Sequence, residues 1–456
     1  MSAIPGKTPP AIETPEGDLR SRVHMRLLGS IDLNQARQLP QEQLRKECAQ
    51  KVEALLAAEG KPLSTTEKER LITQVMDDIF GLGPLEDLLR DEDVSDILIN
   101  GPQQIYVEKK GRLIVSEVTF RDNDHLLTVI QRIASSMGRR VDESSPMLDA
   151  RLQDGSRVNA IISPLALDGH SVSIRRFGAI PFTLEKLMEF GAMTPEMHQF
   201  LQAAVAAKLN IIISGGTGSG KTTLLNCLSR CIPDGERVLT IEDAAELQLQ
   251  RDHVVRLETR PANVEGKGLI NQRDLVKNAL RMRPDRVVIG EIRGGEALDM
   301  LQAMNTGHDG SMTTLHSNGT RDTIRRLESM VSMAGLDFPI ATIRQQISAA
   351  VQILVHADRL TGGPRKITAI TEITGMESDV VLLQDIFKFK QTGLDDEGVA
   401  QGHHEACGVR PKVIEHLRAE GHNLPDEIFH KGKLENEKPR SAATSQIRMV
   451  KKKGAA

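Results

Sequence analysis

The sequence predicts an α/β protein organised around a phosphate-binding loop, and three observations lead there. A β-branched run, Ile211-Ile-Ile-Ser, meets the glycine-rich stretch Gly215–Gly220, which passes directly into a helix-forming run opening with Lys221. Apolar strand-length runs alternate with helical patterns around this junction, and such alternation implies a parallel sheet covered on both faces. Two downstream apolar runs end in carboxylates, Glu242 in RVLTIEDAAELQL and Glu291 in DRVVIGEIRGG.

The chain has 456 residues, enough for two or three domains. Its formal net charge of −4 supplies no global field to attract nucleic acid. Aromatic residues make up 2%, with no Trp and the single tyrosine Tyr106, which argues against a single-strand binder that stacks bases on rings. The cysteines, Cys48, Cys227, Cys231 and Cys407, form no CxxC pair and no disulfide framework. Cys227 and Cys231, four apart after the loop, read as packing residues. The N-terminus lacks an apolar signal core and no 18-residue apolar span occurs, so a soluble, cytoplasmic protein is expected.

Residues 1–33 contain four prolines and little apolar periodicity, and read as disordered. Residues 34–92 carry helical apolar spacing, as in Leu71, Ile72, Val75, Met76 and Ile79, and read as a helical bundle. Thr65-Thr66-Glu67 resembles a capped helix start, and Gly81-Leu82-Gly83-Pro84 stops that helix. Residues 93–178 alternate short strands (DILING, QIYVEKKGRLIVSEVTF, RVNAIISP, HSVSIRRF) with a helix near 124–137, a compact α/β domain. A linker is expected at 179–192, the domain around the phosphate loop at 193–400, a C-terminal extension at 401–430 and a basic disordered tail at 431–456. Strands are expected between Lys366 and Lys390.

Gly215-x-x-x-x-Gly220-Lys221-Thr222 fits the P-loop spacing residue for residue. Its glycines let successive N–H groups converge on an anion with no Cβ in the way, and the following helix aims its positive end at the same place. Gly215, Gly216, Thr217, Gly218, Ser219, Gly220, Lys221, Thr222 and Thr223 are therefore assigned to nucleotide binding. Lys221 is expected on the β- and γ-phosphates and the Thr222 hydroxyl on Mg²⁺. Such a loop also needs a magnesium partner, a water activator and a charge stabiliser. Glu242, Asp243 and Glu246 stand at a strand end, and in a helical continuation Glu242 and Glu246 would share a face. The bland reading is a solvated acidic helix start. Val287-Val-Ile289-Gly290-Glu291 has the Walker-B form, a buried strand delivering a carboxylate beside Mg²⁺. In TGHDGSMTTLHSN, His308 lies in a glycine loop and His316 at a strand's carboxyl end, where it would face the phosphates. Its bland reading is a structural hydrogen bonder. Upstream lie Arg151, Arg157, Arg175 and Arg176; on a strand the last two point to opposite faces, so at most one meets a nucleotide.

Together these stretches resemble the secretion superfamily of ATPases: type II secretion, type IV pilus and type IV secretion motors. The resemblance runs from about Leu71 to Phe429, with Walker A at 215–222, an acidic box at 242–246, an atypical Walker B ending in Glu291 and a histidine box from His308 to His316. DDIFGLGPLEDLL, VSDILING, IEDAAELQL and LHSN look most like the Tad/Flp pilus assembly ATPases of the CpaF type. The resemblance implies a RecA-like P-loop domain, a smaller PAS-like α/β domain before it, a homohexamer, and ATP with Mg²⁺. It implies Glu246 as general base, Glu242 and Glu291 near the metal, and Arg157 or Arg175 as a neighbouring subunit's charge stabiliser. The work implied is assembly of a Tad/Flp pilus, with retraction as a further task, through inner-membrane platform proteins, from a peripheral cytoplasmic position and with no direct nucleic-acid contact. The alternative is a type II or type IV secretion motor for protein or DNA. A nucleotide-binding scaffold without turnover is a third reading, opposed by the acids present.

Two departures narrow the subfamily. The tetra-cysteine zinc motif of type II and type IV pilus extension ATPases is absent, and the acidic box lacks their proline. His403–Cys407, HHEAC, has no further ligand nearby at zinc spacing and is read as a loop.

Overall fold

The computed structural model describes residues 41–58, 63–109, 112–152, 154–176, 182–260, 262 and 267–434, together with Leu19, Arg22, Val23, Arg26 and Leu27. The chain divides into two compact units, Met1–Ala179 and Ile180–Ala456.

The first unit opens with helices α1 (Gln41–Ala58) and α2 (Thr65–Phe80). Ser64 caps α2 in a reciprocal box: Glu67 N donates to Ser64 Oγ at 3.2 Å and Ser64 N to Glu67 Oε2 at 2.7 Å. Cys48, Val52 and Leu56 of α1 pack with Leu71 and Val75 of α2. Leu19, Val23 and Leu27 complete this core, each helical and 0–1% exposed. The disorder expected for residues 1–33 therefore fails at these positions, whose spacing of four is a helical apolar stripe. Apart from Arg22 and Arg26, the other residues of that segment lie outside the described residues, as do 435–456 of the basic tail, whose described start at Gly432–Leu434 is a strand rather than disordered.

After α3 (Leu85–Arg90) come β1 (Val94–Asn100), β2 (Ile105–Lys109), β3 (Arg112–Val115), α4 (Asn123–Ser136), β4 (Met147–Arg151), β5 (Arg157–Ile161) and β6 (Ser171–Arg175). The strands form one antiparallel sheet, ordered β3-β2-β1-β6-β5-β4. Leu126, Val129, Ile130 and Ile133 of α4 share a core with Ile97, Ile99, Val158 and Ile174 of the sheet. The opposite face carries Arg151, Arg157 and Arg175 in one row, each directly across from the next.

The second unit begins with α5 (Leu184–Glu189) and α6 (Pro195–Ala206). Leu184 is buried in this unit's core, so a helix occupies part of the stretch expected as linker; residues 177–181 lie outside the described residues. Then follow β7 (Ile211–Gly215), α7 (Lys221–Ser229), β8 (Val238–Glu242), β9 (Val254–Glu258), α8 (Gln272–Ala279), β10 (Arg286–Ile289), α9 (Glu296–Asn305), β11 (Met312–Leu315), α10 (Thr320–Ser332), α11 (Ile340–Ala350), β12 (Ile353–Arg359), β13 (Arg365–Glu377), β14 (Val380–Leu394), β15 (Ala400–Ala406), α12 (Ile414–Ala419) and β16 (Gly432–Leu434). One ten-stranded sheet runs β16-β15-β14-β13-β12-β7-β11-β10-β8-β9. From β12 to β9 every pairing is parallel, and from β12 to β16 every pairing is antiparallel.

β7, β8, β10 and β11 are buried at every residue, as expected of parallel strands covered on both faces. Alternate residues feed two cores. Ile211 and Ile213 join Phe200, Leu225 and Leu228 on one face, while Ile212 joins Leu298, Leu301, Leu327 and Ile347 on the other. His403–Cys407, expected as a loop, lies largely in β15, with His404 buried and its Nε2 3.0 Å from Ile367 O. Alternating burial along β15 is the strand period that short polar runs conceal. The sheet thus continues past the ATPase boundary placed at residue 400.

Candidate nucleotide-binding site

The loop between β7 and α7 is held in shape by its glycines. Gly215 has φ 154°, and a Cβ there would lie 2.1 Å from Ala357 O of the adjacent strand. Gly220 caps α7 at φ 93°, in the left-handed region where glycine is favoured. Lys221, the first residue of α7, folds back over the loop and donates to Gly215 O at 3.0 Å and Gly216 O at 2.9 Å. Burial lowers its pKa, and the nearby Glu291 charge opposes that shift. Thr222 and Thr223 follow, half-buried on the first turn of α7.

Glu242 ends β8 and is 3% exposed. Its Oε2 accepts from Glu246 N at 2.6 Å and Leu247 N at 2.9 Å. The chain after β8 is therefore an irregular loop, and the shared helical face expected of Glu242 and Glu246 does not form. A side-chain carboxylate has captured the backbone donors that a helix would have used. Ala245 and Leu247 anchor this loop in the protein interior, and Gln248 N donates to Asn226 Oδ1 of α7 at 2.8 Å. Desolvation pushes the Glu242 carboxyl up to about 7 against the pull of its two N–H donors.

Glu291 follows β10 one residue beyond Gly290. The glycine has a steric reason: a Cβ there would stand 2.9 Å from Glu242 Cγ. The two carboxylates thus come from neighbouring parallel strands, β8 and β10. Thr314 Oγ1 donates to Gly290 O at 2.8 Å and Ile292 N to Thr314 O at 2.9 Å, fastening this turn to β11. Arg293 Nη2 donates to Glu291 Oε2 at 2.9 Å, and Arg293 Nη1 lies 3.8 Å from Asp243 Oδ2. The Glu291 interaction, with hydrogen bond and charge together, raises the Arg293 pKa. Sequence reading passed over Arg293, although it stands two residues beyond the Walker-B acid.

His316, one residue after β11, has Nδ1 3.4 Å from Lys221 Nζ and Nε2 3.0 Å from Glu291 Oε1. The second contact lacks hydrogen-bond geometry. Burial outweighs the Glu291 charge and lowers the His316 pKa, leaving a neutral ring between lysine and carboxylate. His308 is placed elsewhere. It precedes β11, and β11 runs parallel to β7, so His308 sits at the amino ends of these strands, opposite the loop, with its carbonyl accepting from Ser311 Oγ at 2.7 Å. Arg157 and Arg175 belong to the first unit. Arg157 pairs with Asp149 at 2.8 Å and Arg175 with Asp96 at 3.3 Å.

Three buried oxygens beside the loop make no hydrogen bond: Ser219 Oγ, Glu242 Oε1 and Glu291 Oε1. Burying such acceptors without partners is costly, and hard oxygen donors are what Mg²⁺ selects. No group of three or more metal-ligating side chains occurs among the described residues. That suits an ion that takes one or two carboxylates and completes its shell with water and substrate phosphates. The residues present therefore fit magnesium and a nucleotide.

Residues 79–454 match the family described as type II/IV secretion system protein. The chain belongs to this family. It is 36% identical over 324 residues to a putative conjugal transfer protein of Mycobacterium tuberculosis, covering 70% of this chain and 92% of that one. It is 31% identical to the conjugal transfer protein TrbB of Rhizobium radiobacter, covering 64% of this chain and 87% of that one. Among solved structures it is similar to the VirB11 ATPase from the Brucella suis type IV secretion system, with 30% identity, 64% and 97% coverage and a TM-score of 0.35. Family membership and an intact P-loop together make the chain an ATP hydrolase. No described helix is long and apolar enough to cross a membrane.

Proposed function

We propose that this chain is a hexameric Mg²⁺-dependent ATPase that powers assembly of a Tad/Flp-type pilus through an inner-membrane platform. The second unit would serve as a RecA-like motor and the antiparallel domain of the first as its PAS-like companion. The observation that carries the reading is a pair of carboxylates beside an intact P-loop: buried Glu242, whose Oε1 makes no hydrogen bond, and half-buried Glu291, whose Oε1 lies 3.0 Å from His316 Nε2 without hydrogen-bond geometry. Lys221 would leave the loop carbonyls for the β- and γ-phosphates, and the loop N–H groups would hold the same anion. Thr222, Glu242 and Glu291 would hold the magnesium, which when bound neutralises charge on the phosphates. Glu246 would take the proton of the attacking water. His316 would respond to a change at Lys221 or Glu291. Arg157 and Arg175 would stabilise charge as groups supplied by a neighbouring subunit.

Relatives named as conjugal transfer proteins favour a second reading, a type II or type IV secretion motor exporting protein or DNA. Phosphate release from ATP, dependent on Mg²⁺, tests the enzymatic part. Binding assays against a pilus platform protein and a conjugation coupling partner separate the two tasks. Capture by the conjugation partner alone, or turnover stimulated by DNA, would overturn the pilus assignment.

A further inference from the structure

The β12–β13 hairpin brings two arginines to the tip of the phosphate loop. Arg359 is the last residue of β12 and Arg365 the first of β13, and the register sets them directly opposite one another. Arg365 Nε donates to Gly218 O at 2.8 Å. A Cβ on Gly218 would lie 3.8 Å from Arg359 Nη1, and one on Gly220 would lie 3.6 Å from Arg365 Cδ. Both side chains therefore flank the loop, and both residues are exposed. The turn between them is fixed. Leu360 N donates to Pro364 O at 2.8 Å, Ala400 N to Thr361 O at 2.9 Å, and a Cβ on Gly362 would meet Val399 Cα at 2.6 Å. Asp358, the neighbouring acid, accepts from Thr368 Oγ1 at 3.1 Å and lies 3.2 Å from His356 Nε2.

Sheet order separates the charges around the loop. β12 lies on one side of β7, while β11, β10 and β8 lie on the other. Glu242 and Glu291 reach the loop from one flank, where Arg293 pairs with Glu291, and Arg359 and Arg365 reach it from the other. Two guanidinium groups set directly opposite one another concentrate positive charge at this hairpin end. A polyphosphate beside the pair would be attracted to both groups, and guanidinium groups match phosphate oxygens in geometry.

We propose that Arg359 and Arg365 form a second, cationic wall of the nucleotide site. Arg365 positions the loop tip through Gly218, and the pair faces the phosphate chain of a nucleoside di- or triphosphate. The inference rests on the nucleotide reading of the P-loop. In the full chain, Arg359→Ala and Arg365→Ala are titrated with a fluorescent ADP beside wild type and Lys221→Ala. Each arginine variant should weaken ADP about tenfold, the loss of one charge-assisted hydrogen bond, and Arg365→Lys should recover part of it. The nucleotide-free melting temperature of Arg359→Ala should stay close to that of wild type. Unchanged ADP affinity in both arginine variants, with binding still lost in Lys221→Ala, overturns this inference and leaves the P-loop reading standing. ADP binding unaffected by Lys221→Ala overturns both. A lower nucleotide-free melting temperature with unchanged affinity assigns the arginines to structure alone and also overturns it.

Discussion

Replacing Glu242 with Gln should make the nucleotide-free protein more stable in alkaline buffer while weakening its hold on magnesium nucleotide. Burial pushes this carboxyl from 4.5 up to about 7, because loss of water costs the charged form more than its two N–H donors return. Between those values the folded chain binds more protons at this site than the unfolded chain does. Stability therefore falls as pH rises through that window; the penalty is absent below it and complete above it. A tenfold change in proton affinity is worth about 1.4 kcal/mol, so the full penalty is about 3 kcal/mol. The amide keeps the shape, and its oxygen can still accept from Glu246 and Leu247, yet it carries no charge to bury. Dye-based thermal melts in chelator, without nucleotide, from about pH 5 to about pH 8.5 read the difference. The variant should gain roughly 5–10 °C on wild type across that range. A gap that stays constant with pH would mean that Glu242 is solvated or charged throughout, and would refute the burial argument.

Lys221→Ala should keep the fold and lose ATP binding; near-normal hydrolysis by the folded variant would remove Lys221 from the site. Glu246→Gln should still bind Mg²⁺-ATP but turn it over about 10²–10⁴-fold more slowly, as expected when a general base is lost. Glu291→Gln should instead weaken magnesium-dependent binding, and the two roles are exchanged if it is the Glu291 variant that traps ATP. Gly290→Ala should lower turnover about tenfold with ADP affinity little changed, since its Cβ displaces a carboxylate held by two N–H groups; full activity would show that Glu242 has room to move. Arg157→Ala or Arg175→Ala should lower turnover much more than nucleotide affinity, and the specific rate should climb with protein concentration. Full per-subunit activity in dilute protein would contradict a group supplied by a neighbour.

The P-loop was legible because its information is local: glycine spacing, a β-branched run before it and Lys221 after it. Glu242 and Glu291 were legible for the same reason, as acids ending apolar runs. What failed depended on partners distant in sequence or on competition within a few residues. A helical continuation after Glu242 was open to the sequence, which cannot show that the carboxylate itself takes the amides of Glu246 and Leu247. His308 and His316 fall in one short motif, yet the four residues of β11 carry the chain from the amino to the carboxyl ends of the strands between them. Arg365 gives no local sign of lying near Gly218, because the contact exists only once β12 has paired with β7. Leu19, Val23 and Leu27 were hidden among prolines and charges, although their spacing was readable.

The place of β7 within the sheet also dictates when the protein can acquire its activity during synthesis. β7 has no early partner: its neighbours begin at Met312 and Ile353, long after the loop itself has left the ribosome. Until the first of these has been translated, Ile211, Ile212 and Ile213 form an unpaired apolar strand, and until the second they keep one open side, the kind of segment that chaperones hold and that aggregates when they do not. The peptide wall that Ala357 raises against Gly215 is missing as well. Bound nucleotide therefore cannot nucleate this fold on the nascent chain. It can reward only a chain already translated past β12.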